Sequence, residues 1–175
     1  MTGCYIVTFR IRKRKIRPLT YGLRACFDAP VETVHLILGV AVLVTNAAAG
    51  IWGSLVWLTH RPSVGFWYAL RVAQGAVVVQ VAAGTVLLIL GREAPDGLHY
   101  LYGVLPLLVT LLAEAARAGA AERELTGLDL ESLPKERQRL IAFAIVRRET
   151  GIMAVSTLIV LFLALRAAGT SDALF

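Results

Sequence analysis

Four apolar stretches, each long enough to cross a lipid bilayer, dominate this chain of 175 residues. They fall at about 34–59, 66–91, 98–118 and 150–168, and a hydrocarbon core needs roughly 20 helical residues to be crossed. Lipid offers no water to pair with backbone N–H and C=O groups, so only helices or closed barrels span it; continuous apolar stretches of this length are helices. The last is the shortest in strictly apolar terms. Gly151–Leu165 has 15 residues and must draw on the upstream Leu140–Val146 run. Composition agrees: 57% hydrophobic, 17% charged and a mean hydropathy of +0.68, against about 45–50% apolar and about 25% charged for a soluble domain. An ordinary soluble enzyme is excluded. The predicted fold class is all-α, a polytopic integral membrane protein whose spans form an antiparallel four-helix transmembrane bundle.

The one substantial polar segment, about 114–149, lies between the third and fourth spans. It reads as a helical hairpin that extends helices 3 and 4 beyond the bilayer. Thr126-Gly127 and the Asp129–Pro134 region supply its turn, with Ser132 as N-cap and Pro134 in the first helical turn. Counting outward from a tip near Asp129 sets Glu114 opposite Arg147 or Arg148, where a border salt bridge is expected. Glu136, Arg137 and Arg139 read as a solvated face.

The formal net charge of +6 comes entirely from residues 1–30, where seven basic residues stand against Asp28 alone. The other 145 residues sum to zero, so basicity belongs to a leader and nucleic acid is not an expected partner. Cys4 and Cys26 also lie in that leader, so no disulfide framework is expected in the membrane body. Lys and Arg accumulate on the cytoplasmic side of membrane proteins. With four spans, however, the leader and the third connection fall on opposite sides, and both are basic. Treating residues 1–30 as outside the natural product, with Val31 as a non-AUG start, resolves the conflict. It leaves nine basic residues, seven of them in the hairpin, against Arg92 and Arg166 on the other side. Both termini are then outside and residues 114–149 cytoplasmic at the cell membrane. If translated, the leader is a basic segment lying on anionic lipid; it lacks the apolar region and cleavage site of a signal peptide.

Polar groups at membrane depth are functional candidates by default, because burying them without a partner is costly. His35, Gly39, Asn46, Gly50 and Gly53 share one face of the first span; His99, Gly103, Pro106 and Thr110 share one face of the third. Both spans open with His-x-x-x-Gly, as His35–Gly39 and His99–Gly103. Odd-numbered spans point the same way, which sets both imidazoles near the outer face. A bis-His haem b needs one neutral imidazole from each of two helices, and glycine one turn along clears space for the porphyrin edge. His35 and His99 are thus candidate iron ligands, with Gly39 and Gly103 as cofactor-binding positions. Tyr100 and Tyr102 would cover the macrocycle or sit in the interfacial aromatic belt. The plainer account makes each His a first-turn residue facing headgroups and each Gly ordinary packing.

Arg71, one turn or so into the second span, either snorkels to the surface or forms a buried ion pair with Glu114. Asn46, Gln74 and Gln80 read as interhelical hydrogen-bond glue, Trp52, Trp57 and Trp67 as belt residues. No phosphate loop, nucleophile–base pair or metalloprotease helix is present. In outline the chain resembles small four-span bacterial membrane proteins, a likeness that carries no functional residue across. Two roles follow from these residues. One is a structural or assembly accessory docking a membrane or cytoplasmic protein through the charged hairpin 114–149. The other is a b-type haem protein built on His35 and His99.

Overall fold

The computed structural model describes the backbone of residues 20–170, apart from 93, 95, 128, 130 and 131, and side chains from residue 33 onward. The expectations for the leader therefore fall largely outside the described residues. Four helices make up the described structure: α1 (Thr20–Thr59), α2 (Val64–Ile89), α3 (Gly97–Leu125) and α4 (Lys135–Gly169). No strand occurs among the described residues. All four helices are long and apolar enough to span a membrane, α1 through its Thr33–Thr59 portion. At most 33% of the most apolar window of any of them is buried. Val44, Leu58, Ile89 and Phe162 are among the large apolar side chains that point outward. A surface of this kind suits lipid rather than water, consistent with a multi-pass membrane protein.

Local chemistry sets the helix ends. At the α1–α2 turn His60 adopts φ 56°, a left-handed conformation in which His is enriched, and its Nδ1 lies 2.9 Å from the Leu58 carbonyl. Asp96 caps α3 by accepting from the Leu98 N–H at 3.0 Å, which satisfies one of the free amides of the first turn. α3 stops at Thr126, followed by Gly127 at φ +77°, the left-handed residue that commonly ends a helix. At the other end of that loop the N-cap position is Pro134, not Ser132. Ser132 lies two residues too early to cap and donates its hydroxyl to the Asp129 carbonyl at 2.8 Å.

Packing is concentrated where small residues let the helices approach. α1 packs on α2 and α4, and α3 on α4, whereas α2 and α3 touch sparingly. In lipid, apolar side chains gain nothing by leaving their solvent, so close van der Waals fit replaces the hydrophobic effect as the cohesive term. Gly53 shows the fit: a Cβ there would lie 2.5 Å from the Phe66 ring and 3.0 Å from the Ala154 Cβ. Phe66, Leu70 and Met153 are fully buried around that crossing, and Val42, Val77 and Val160 form a second cluster. Trp57 and Trp52 belong to this packing as well as to any belt. Each lays its ring against a glycine of a neighbouring helix, Gly151 and Gly65 respectively. Asn46 is fully buried but donates to the Val42 carbonyl of its own helix at 2.9 Å, so that hydrogen bond is not the interhelical one expected.

Candidate functional site

The sparse contact between α2 and α3 leaves a cavity of about 630 Å³ that all four helices line. His35 and Gly39 come from α1, Gln80 and Gly84 from α2, His99 and Gly103 from α3, and Ala167 from α4. Its deeper wall is apolar, built from Val42, Val77 and Pro106. The two histidines that the paired His-x-x-x-Gly pattern singled out thus enter one cavity. Their ring centroids lie 6.3 Å apart, with planes at 61°.

Each imidazole is held differently. The Nδ1 of His99 lies 3.1 Å from the Ala167 carbonyl and 3.4 Å from the Thr170 hydroxyl. A carbonyl only accepts, so Nδ1 carries the proton and the Nε2 lone pair of a neutral ring is left for another partner. A backbone carbonyl holding one ring nitrogen in this way fixes the tautomer and the orientation of the imidazole. The Nε2 of His35 lies 3.3 Å from the Gln80 amide nitrogen, longer than a good N–H hydrogen bond. The Nδ1 of His35 and the Oε1 of Gln80 are both buried without a hydrogen-bond partner. Buried polar atoms are almost always paired, and these two stand together beside one cavity.

The glycines supply clearance, in two ways. A Cβ at Gly39 would lie 3.3 Å from the Gln80 amide, and one at Gly84 would lie 3.2 Å from the His35 ring. These two let the polar groups lie against the helix backbones. Gly103 has nothing within 4 Å of its missing Cβ, so it opens space rather than admitting a neighbour. Tyr100 and Tyr102 both line the cavity. The Tyr100 hydroxyl accepts from the Ala94 N–H at 2.8 Å, which ties the α2–α3 connection to the rim.

Arg71 and Glu114 meet at the far end of α2 and α3. Arg71 Nη1 is 2.6 Å from Glu114 Oε1. The same carboxylate accepts from Gln74 at 2.7 Å and from Arg117 Nε at 3.0 Å. Arg117 in turn reaches Glu149 at 3.7 Å and stacks over Trp67. The pair is formed but not buried, since the Arg71 side chain is 54% exposed. The expected contact of Glu114 with Arg147 or Arg148 is absent from this carboxylate's partners, and Arg148 pairs instead with Glu124 at 2.8 Å. The reason is geometric. Matching levels such as His99 with Ala167 and Arg117 with Glu149 place the tip of the hairpin nearer residue 133 than 129, because α4 begins only at Lys135.

Gln80 is the site residue that sequence reasoning assigned elsewhere, as packing glue. A signal was available: Gln80-x-x-x-Gly84 repeats the spacing of the two His-x-x-x-Gly motifs. Among the described residues no group of three or more His, Cys, Asp or Glu side chains forms a metal-binding cluster. No family model matches this chain, and no curated protein or solved structure is similar to it.

Proposed function

We propose that this protein is a membrane b-type haem protein, with His35 and His99 as the two axial ligands of one haem. The observation that carries this reading is the 6.3 Å separation of the two rings inside a shared cavity. An imidazole nitrogen binds a first-row metal at about 2.0–2.1 Å. Two imidazoles bound to one ion through nitrogens that face it therefore have ring centres about 6 Å apart, a spacing shared with edge-to-face ring pairs, and the His35 ring would turn its Nε2 from Gln80 to the ion. A donor set of two histidines without further ligands suits an iron whose other four positions come from a porphyrin. The cavity volume of about 630 Å³ lies within the range of about 300–1,000 Å³ typical of cofactor sites. Gly39 and Gly103 would flank the macrocycle, and Ala167 would fix the His99 ring. His35 would hold the iron through Nε2 at the expense of its long contact with Gln80. With both axial positions taken by imidazole, the chemistry such a haem supplies is one-electron transfer.

The helix contacts support an antiparallel bundle for this site. Gly53 meets Phe66 while Gly39 meets Gln80, and Gly50 meets Leu158 while Trp57 meets Gly151, so residue numbers rise on one helix as they fall on its neighbour. The charge asymmetry supports a cytoplasmic hairpin at the cell membrane, which sets the histidines toward the outer face. The test is a haemin titration of the purified protein in detergent. A one-to-one complex with a shifted Soret band, lost in His35→Ala and in His99→Ala, is expected. A protein that leaves the haemin spectrum unchanged would overturn the reading.

Docking of a protein partner through residues 114–149 is a second reading, favoured by the exposed Leu140 and Phe143 on α4. Phe143 lies beside Trp57, His60 and Pro62 at the level of the α1–α2 turn, where a partner at the membrane surface would meet it. Stoichiometric co-purification from native membranes, lost in Leu140→Glu, is the expected result; a chain that purifies alone with its hairpin intact contradicts it.

A further inference from the structure

The two imidazoles are held unequally. The Nδ1–H of His99 faces the Ala167 carbonyl at 3.1 Å, and the same oxygen accepts from the Thr170 hydroxyl at 2.8 Å. Ala167 lies in the last turn of α4, where carbonyl oxygens have no amide one turn ahead and carry the partial negative charge of the helix end. Donating to such an oxygen fixes a ring and raises the basicity of its other nitrogen. His35 has no such hold, since its Nδ1 is buried without a hydrogen-bond partner. Its Nε2 instead rests 3.3 Å from the Gln80 amide nitrogen, in a place that two glycines keep clear. A Cβ at Gly84 would lie 3.2 Å from the His35 ring, and one at Gly39 would lie 3.3 Å from the Gln80 amide.

From this inequality we infer that His35 is the exchangeable ligand of the pair: its Nε2 passes between the iron and the Gln80 amide, and the position it leaves admits a small uncharged diatomic molecule. The inference rests on the haem reading and adds ligand binding to electron transfer. In the exchange the bond from iron to His35 Nε2 breaks, and the freed lone pair accepts the Gln80 N–H. A lone pair of the incoming molecule takes the position, with no proton transferred and no net oxidation or reduction. Leu36, Val40 and Leu43 of α1 line the cavity beside His35, an apolar wall that suits an uncharged ligand better than an anion. Apparent affinity is the intrinsic affinity scaled by the fraction of molecules with His35 released. Gln80 and Gly84 therefore tune binding through His35, as positioning residues.

The experiment loads the purified full-length protein with haemin, reduces it with dithionite and mixes it with carbon monoxide in a stopped-flow spectrometer. The reduced Soret band is expected to shift, at a rate that levels off as carbon monoxide rises, because release of His35 becomes limiting. Gln80→Leu removes the amide that receives His35, and Gly84→Ala crowds the ring against α2. Each should weaken carbon monoxide binding about threefold to tenfold, the scale of one lost hydrogen bond, while haemin binds at least as tightly. Helical circular dichroism checks that each variant folds, and the plateau in the wild type needs no variant. A reduced spectrum that carbon monoxide leaves unchanged, a rate that rises linearly without a plateau, or equal binding in wild type and both variants would overturn the inference while a haem complex still forms. Failure to bind haemin at all would overturn the haem reading and the inference together.

Discussion

Gly53 and Gly75 are both helical glycines, yet a methyl group would meet opposite fates at the two positions. At Gly53 it would strike Phe66 and Ala154; at Gly75 it would meet nothing within 4 Å. Gly53→Ala should therefore destabilise the protein by about 1–3 kcal/mol, the usual range for overpacking. Gly75→Ala should be neutral or mildly stabilising, since Ala is the better helix former. Thermal unfolding of the two variants in the same detergent checks the contrast, and equal midpoints would contradict it. Gln80 gives a second test at this scale. If its 3.3 Å contact with His35 yields to iron, Gln80→Ala should bind haemin at least as tightly as wild type. A tenfold loss would show Gln80 to be part of the binding apparatus. The histidines and their glycines were legible because the spacing repeats on two spans. Gln80 was not, because one amide in an apolar helix is as common in helix–helix glue as in a site, and only the folded cavity shows which it is.

At the scale of helices, α2 and α3 are joined by polar contacts where their apolar packing is thin. Glu114 accepts from Arg71, Gln74 and Arg117, so removing the acid takes away the acceptor that all three share, with Arg71 keeping Gln74 Oε1 and Arg117 keeping Glu149, while removing Arg71 leaves the acid with two partners. Glu114→Ala should accordingly cost about 1–3 kcal/mol, the scale of lost hydrogen bonds to a charged group. Arg71→Ala should cost less, because its side chain is half exposed. Denaturation in mixed micelles measures both, and a larger effect of Arg71→Ala would refute the asymmetry. The exposed Arg148–Glu124 pair should contribute below about 1 kcal/mol. The register of α3 against α4 was only partly legible in the sequence. Thr126-Gly127 marks the end of α3 correctly, but nothing in the Asp129–Pro134 composition says how many loop residues precede α4. A shift of a few residues at the tip is enough to exchange Glu149 for Arg147 or Arg148 opposite the α3 acids and bases.

For the whole molecule, the four spans were readable because lipid imposes one constraint that dominates all others: long runs of apolar helix. The same property hides how the helices pair. Apolar side chains are equally at home against lipid or against each other, so hydropathy does not say which face is inward; the Ala49/Gly53 spacing permits close packing, but the partners that fill it, Phe66 at Gly53 and Trp57 at Gly151, emerge only from the fold. The cavity is a consequence of that pairing, since it exists where α2 and α3 part. Orientation across the membrane is a prediction at this scale. In a chain with both native cysteines changed to Ser, a single Cys at Glu136 should be labelled by an impermeant thiol reagent only after the cytoplasmic side is opened. Labelling in intact cells would reverse the topology and move the histidines to the inner face.

Whether His35 and His99 share a haem is decided by the optical spectrum of the protein purified from cells supplied with haem, recorded oxidised and dithionite-reduced. A bis-imidazole haem shared by His35 and His99 predicts a Soret band with sharp reduced α and β bands, lost or converted to a high-spin form in either His→Ala variant. A protein that purifies colourless, or whose spectrum is unchanged in both variants, would contradict it.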